Sequence, residues 1–148
     1  MIDVKLLSLP PLPAESERHL ALLADRLLQG LRQGLEQRDW GGLRPSHFRL
    51  MGCVPRDGAT ITELAAPLFM TKQAVGQFVA QLCETGHLNL LVDPQDRRRR
   101  VVVRTDLGDR VVAEVTAVIG AVEQHWIEQA GSEDYAVFRR VLERLVGG

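Results

Sequence analysis

A mainly helical chain carrying one small β-hairpin is the architecture this sequence predicts, and three observations predict it. Apolar residues recur at three- and four-residue steps through most of the length, the rhythm of helices with one buried face. Residues 88–103 break that rhythm with two aliphatic, β-branched runs on either side of Asp93-Pro94-Gln95-Asp96 and a run of arginines. Positive charge is gathered there: residues 71–105 carry six cations and three anions, so that stretch stands at +3 and the remainder at −4, within a net charge of −1.

In chain order, the N-terminal MIDVKLLSLPPLP is broken by Pro10, Pro11 and Pro13 and reads as an extended arm rather than a secretory signal. Ser16 is placed to cap a helix running to about Arg38, with Leu20, Leu23, Leu27, Leu31 and Leu35 as its stripe and Leu28 widening it. Trp40-Gly41-Gly42 ends that helix. Pro45 suits the first turn of a second one, with Phe48, Leu50, Met51 and Val54 as candidate core. Pro55-Arg56-Asp57-Gly58 is a turn, residues 59–61 a stub of strand, and Thr62 the cap of a short helix buried through Leu64, Ala65 and Leu68. The next helix runs from Thr71 to a stop at Gly86, buried through Val75, Phe78, Val79 and Leu82. After the hairpin, residues 106–129 return to helical spacing on Val111, Val115, Val118, Val122 and Trp126, a valine-rich run that needs burial to stay helical. Ser132, with Glu133 and Asp134, opens a last helix whose apolar side is Phe138, Val141, Leu142 and Leu145.

A chain of 148 residues, 45% hydrophobic and 25% charged, can bury its own core without a disulfide or a metal. One domain is expected over 1–148: an arm and helix in 1–42, a compact central module in 43–107 and further helices in 108–148. The terminal helices hold more apolar surface than so small a module can cover, which points to a subunit interface and a homodimer. Cys53 and Cys83 lack the spacing of a zinc ribbon or a disulfide framework, so reduced thiols in a cytoplasmic protein are expected. His19, His47, His87 and His125 lack ligand spacing, and no cofactor or metal is implied. No apolar run reaches membrane-spanning length, and no G-x-S-x-G, H-E-x-x-H or phosphate-binding loop suggests an enzyme.

Two features point to double-stranded DNA as the partner. Gln73, Gln77 and Gln81, spaced i, i+4, i+8, form a polar ridge opposite the buried side of their helix. Glutamine can pair bidentately with adenine in the major groove, and Gly76 would let that helix approach closely. Thr71 and Lys72, at the helix start, are placed for phosphate. The second feature is Arg97, Arg98, Arg99 and Arg100 at the hairpin tip. Four adjacent cations repel one another, so an anionic partner explains them better than folding does, with arginine entering a minor groove and its neighbours holding phosphates. Asp96 reads as structural, shaping the loop.

These residues also carry a resemblance. Leu43-x-Pro45-x-x-Phe48, Asp57-Gly58-x-x-Ile61-Thr62-Glu63-Leu64-Ala65, Leu82-x-x-x-Gly86, Asp93-Pro94-x-Asp96-Arg97-Arg98 and Thr105-x-x-Gly108 together resemble the MarR family of winged helix-turn-helix transcriptional regulators. The resemblance covers residues 43–108. It implies a homodimer joined through the first and last two helices, a recognition helix over 71–85 in the major groove, and a wing led by Arg98 in the minor groove. It also implies a repressor or activator tuned by a small, often phenolic effector or by oxidation, although no cysteine stands at the start of the first helix where peroxide-sensing members carry theirs. Trp40, His47, Met51 and Trp126 are the candidates to line an effector site. The sequence departs from the family pattern at Pro67, which should distort a turn, at Phe69 in place of a usual glycine, at Leu90 in place of arginine and at Arg104 in place of leucine. The first three leave open an alternative: a winged-helix protein-interaction or sensor module with weak or no sequence-specific DNA binding.

Overall fold

The computed structural model describes Ile2, Asp3, Leu7 and residues 9–147. The expected extended arm thus falls partly outside the described residues, at Met1, Val4, Lys5, Leu6 and Ser8. Six α-helices and one two-stranded antiparallel sheet follow in order: α1 Leu20–Glu36, α2 Pro45–Cys53, α3 Ile61–Leu68, α4 Lys72–Glu84, β1 Leu88–Val92, β2 Arg100–Arg104, α5 Asp106–Ala130 and α6 Ser132–Val146. This is the mainly helical chain with a hairpin that the periodicity predicts. Among the described residues no helix is long and apolar enough to cross a membrane.

Residues 39–115 form one compact unit. Its core is Phe48, Leu50, Met51 and Val54 from α2 and its exit, Leu64, Ala65 and Leu68 from α3, Val75, Val79 and Leu82 from α4, and Leu88, Val101 and Val102 from the hairpin. The expected core positions of α2, α3 and α4 are therefore buried, except that Phe78 is only half-buried. Pro45 does occupy the first turn of α2. The Pro55–Gly58 turn closes through Gly58 N–H to Pro55 O (3.0 Å). The strand stub is a single residue: Ala59 exchanges both backbone hydrogen bonds with Val102, at 3.1 and 2.8 Å.

The cap of α3 is Thr60 rather than Thr62. Glu63 N–H donates to Thr60 Oγ1 (3.2 Å), and Thr60 N–H donates back to Glu63 Oε2 (2.8 Å). Thr60-x-x-Glu63 is the spacing of a reciprocal capping box, and two satisfied donors outweigh the single one that Thr62 offers. Thr62 is simply an exposed position on the helix. In the hairpin, Leu88 pairs with Arg104 and Val92 with Arg100.

Thr105-x-x-Gly108 joins this hairpin to α5. Thr105 Oγ1 donates to Gly86 O (2.6 Å) and accepts from Gly108 N–H (3.1 Å), so one side chain ties the end of α4 to the start of α5. Gly108 is needed because a Cβ there would lie 2.2 Å from His87 O. Burial holds the His87 imidazole below its ordinary range.

Residues 1–38 and 116–148 make the second unit. Here α1 does not start from Ser16. Glu15–Glu17 forms a separate turn of 3-10 helix, Arg18 leaves helical geometry, and α1 begins after His19. The buried side of α1 is centred on Gly30, Gly34 and Leu35 rather than on the whole leucine stripe. At Gly34 a Cβ would come within 2.7 Å of Val122 Cγ2, so small residues at an i, i+4 spacing let α1 lie close to α5. Leu20, Leu23 and Leu28 are exposed. Gly131, not Ser132, stands at the N-cap of α6, and Ser132 is its first helical residue. The expected buried side of α6 is likewise open: Phe138, Val141, Leu142 and Leu145 are all exposed within the single chain.

Candidate nucleic-acid interface

The two predicted recognition features belong to the same unit, residues 39–115. Thr71 caps α4 by accepting Ala74 N–H at 3.1 Å, which leaves its hydroxyl hydrogen to give elsewhere. Lys72, Gln73, Gln77 and Gln81 are exposed, opposite buried Val75, Val79 and Leu82. A Cβ on Gly76 would meet Ile61 Cδ1 at 3.9 Å, an ordinary contact, so packing does not demand glycine there.

Gln81 is held from within the unit. Arg44 N–H donates to His47 Nδ1 (2.9 Å), so Nε2 is the ring nitrogen left to donate, and it faces Gln81 Oε1 at 3.4 Å. With Oε1 engaged, the amide NH2 of Gln81 is the group left to donate. The same imidazole stands edge-on to Phe78, with ring centroids 5.2 Å apart.

At the wing tip, the acids between the strands shape the backbone. Asp93 Oδ1 accepts Gln95 N–H (2.8 Å), and Asp96 Oδ1 accepts Arg98 N–H (2.9 Å), the structural part expected of Asp96. The arginines do not behave alike. Arg99 Nη2 donates to both Glu63 oxygens, at 2.7 and 2.9 Å, and Arg99 Nη1 lies 3.5 Å from Asp93 Oδ2. Folding therefore does explain one of the four: Arg99 fastens the wing to the start of α3. Arg97, Arg98 and Arg100 are exposed and have no side-chain ion pair among the described residues.

Glu63 is the residue that sequence reasoning missed. Its carboxylate closes the capping box with Thr60 and holds Arg99 at once. The Thr60 backbone N–H and hydroxyl, and then Arg99, keep it below the ordinary carboxylate range. Its contribution is thus present above that range and is lost as pH falls through the lowered value. The Thr60-x-x-Glu63 spacing signals the cap but not the wing contact, which spans 36 positions. Arg104, read only as a departure, is likewise structural: its guanidinium bonds Asp109 Oδ1 (2.6 Å) and Met51 O (3.0 Å). Glu63→Gln is expected to loosen the wing, with faster amide hydrogen exchange at Asp93 and Arg99 while the exchange of α4 stays unchanged. Equal exchange in both proteins would show that the Arg99 contact does not hold the wing.

The candidate effector residues divide between the two units. Trp40, His47 and Met51 belong to the winged unit, where Trp40 stacks edge-on to Phe48 (5.0 Å), His47 engages Gln81, and Met51 has no exposed surface. Trp126 belongs to the helical unit, beside a cavity of about 490 Å³ lined by Leu9, Leu12, Leu27, Tyr135 and Phe138 among others. Neither cysteine is in a disulfide, and burial pushes the Cys83 thiol up, away from reactivity. Among the described residues no cluster of potential ligands could hold a metal ion.

No family model matches the chain. The HTH-type transcriptional regulator PetP of Rhodobacter capsulatus is 28% identical over 113 residues, 76% of this chain, and the chain spans 66% of the length of that relative. Among solved structures, the crystal structure of MarR superposes with a TM-score of 0.77 at 20% identity, covering 93% of this chain and 94% of that one. CouR from Rhodococcus jostii, bound to p-coumaroyl-CoA, gives 0.69 at 20% identity, covering 85% and 87% of the two chains. PcaV from Streptomyces coelicolor, in complex with its natural ligand, gives 0.68 at 22%, covering 93% and 99%. At such identities the likeness to these structures is one of fold, and it spans both the winged unit and the flanking helices. The chain thus has the winged helix-turn-helix fold seen in MarR.

Proposed function

We propose that the chain is a DNA-binding transcriptional regulator that acts as a repressor and reads a pseudo-palindromic operator as a homodimer. The wing tip carries this reading. One arginine of four is spent on fastening the tip to α3, while Arg97, Arg98 and Arg100 are left exposed without an ion pair among the described residues. Cations held in a fixed loop and offered outward suit a phosphate backbone and a minor groove. Beside them, α4 offers Gln73 and Gln77 to base edges in the major groove, with Thr71 and Lys72 on phosphate. Gln81, its Oε1 engaged by His47, has its NH2 left to donate, which suits a phosphate oxygen or the acceptor edge of guanine.

The homodimer is supported by the uncovered apolar side of α6, Phe138 to Leu145, and by the exposed leucines of α1. Two copies would place two α4 helices on half-sites roughly 10 bp apart. The small aromatic effector is supported by the p-coumaroyl-CoA bound to CouR and by the apolar cavity beside Trp126. That cavity has the size of a small-molecule site.

Binding measured across salt tests the reading. A dimer holding about 8 phosphates should lose affinity with a log–log slope near −7. Affinity that is flat with salt, or equal for every sequence offered, would instead support a winged-helix interaction module, the reading that Leu90, exposed on β1, favours.

A further inference from the structure

Phe69 is the only non-glycine residue with positive φ among the described residues, at φ 53° and ψ 41°. In that left-handed conformation the Cβ of an L-residue crowds its own backbone, and a bulky side chain there is an outlier. The joint between α3 and α4 nevertheless holds it. Phe69 N–H donates to Ala66 O (3.0 Å), Met70 N–H to Ala65 O (3.1 Å), and Arg49 Nη2 to Leu68 O (3.3 Å). The ring gains nothing in return, because Phe69 is 94% exposed, the most exposed large apolar side chain described. Backbone and side chain both favour glycine at this position for folding alone, and strain kept without internal compensation points to a contact outside the chain.

We propose that Phe69 is a specificity-determining contact to duplex DNA, its ring packing on the C5-methyl group of a thymine in the major groove. The proposal rests on the DNA-binding reading above. The occupant follows from where Phe69 stands: two residues before Thr71, the exposed cap of α4, which is followed by the exposed Lys72 and Gln73. An apolar ring continuous with a helix start and a cation matches the edge of a major groove, where phosphates flank thymine methyl groups. The helix start holds phosphate, and the ring adds sequence preference that the glutamines do not supply.

The test uses the full chain and duplexes selected by it from a random pool. Phe69→Gly and Phe69→Asn both remove the ring and both accept a left-handed backbone, while only glycine adds flexibility. Each variant should unfold at a higher temperature than the parent yet bind the selected duplex at least about fivefold more weakly. Replacing one thymine per half-site by deoxyuridine, which lacks the methyl group, should weaken the parent by about fourfold and leave both variants unaffected. Variants that bind as tightly as the parent, with the same response to deoxyuridine, would overturn the proposal, as would be the case if the ring served a protein partner. A parent that selects no duplex at all removes the DNA-binding reading and this one together.

Discussion

Gly108→Ala should lower folding stability by about 3 kcal/mol, the upper part of the range for an overpacked site. The new Cβ would lie 2.2 Å from His87 O and 3.2 Å from the carbonyl carbon behind it. Both are backbone atoms, so no side chain can rotate away to make room. Relief requires moving the start of α5, and the Thr105 hydroxyl bonds to Gly86 O and Gly108 N–H would stretch with it. Chemical denaturation should show a lower midpoint with an unchanged slope. Gly120, farther along α5, is the control, because a Cβ there meets nothing within 4 Å and alanine favours the helix. Gly108→Ala at parental stability would show that the first turn of α5 does not pack against His87 as described.

Replacing Arg97, Arg98 and Arg100 together by alanine should weaken binding to a selected operator at least about hundredfold at physiological salt, and lower the salt slope by about 1 for each cation that held a phosphate. Arg98→Ala alone should cost more than about tenfold, within the range for an arginine in a narrow groove. None of the three holds an ion pair among the described residues, so folding should be untouched. Arg99 separates charge from geometry. Glu63→Gln removes an anion from the interface, which by charge alone would tighten binding; if Arg99 must fasten the wing, binding weakens instead. A triple variant with parental affinity would show that the wing does not meet DNA.

Much of this architecture was legible in the residues. The helical rhythm, the hairpin between Leu88 and Arg104, the core of α2 to α4 and the opposite faces of α4 follow from spacing alone, because apolar periodicity reports which side of an element must leave water. The motif Thr105-x-x-Gly108 was visible, but its physical meaning was not. Helix starts were read less well. Ser16, Thr62 and Ser132 are each suitable caps by type, yet the helices begin at Leu20, Ile61 and Ser132 itself. A cap is chosen by which oxygen meets an open N–H in space, and several nearby hydroxyl residues compete for that place.

By itself, then, the sequence determined the fold class, the polar ridge of α4 and the concentration of arginine at one hairpin tip. The tertiary structure alone decided that the four arginines divide, with Arg99 drawn to Glu63 and Asp93 and the other three left outward. It alone decided that Gln81 is oriented by His47, and that Phe69 holds a glycine-like conformation with its ring in solvent. The reason is the same in each case. Periodicity encodes which side of one element is buried, whereas a contact between Glu63 and Arg99 exists only once two elements distant in sequence are packed together.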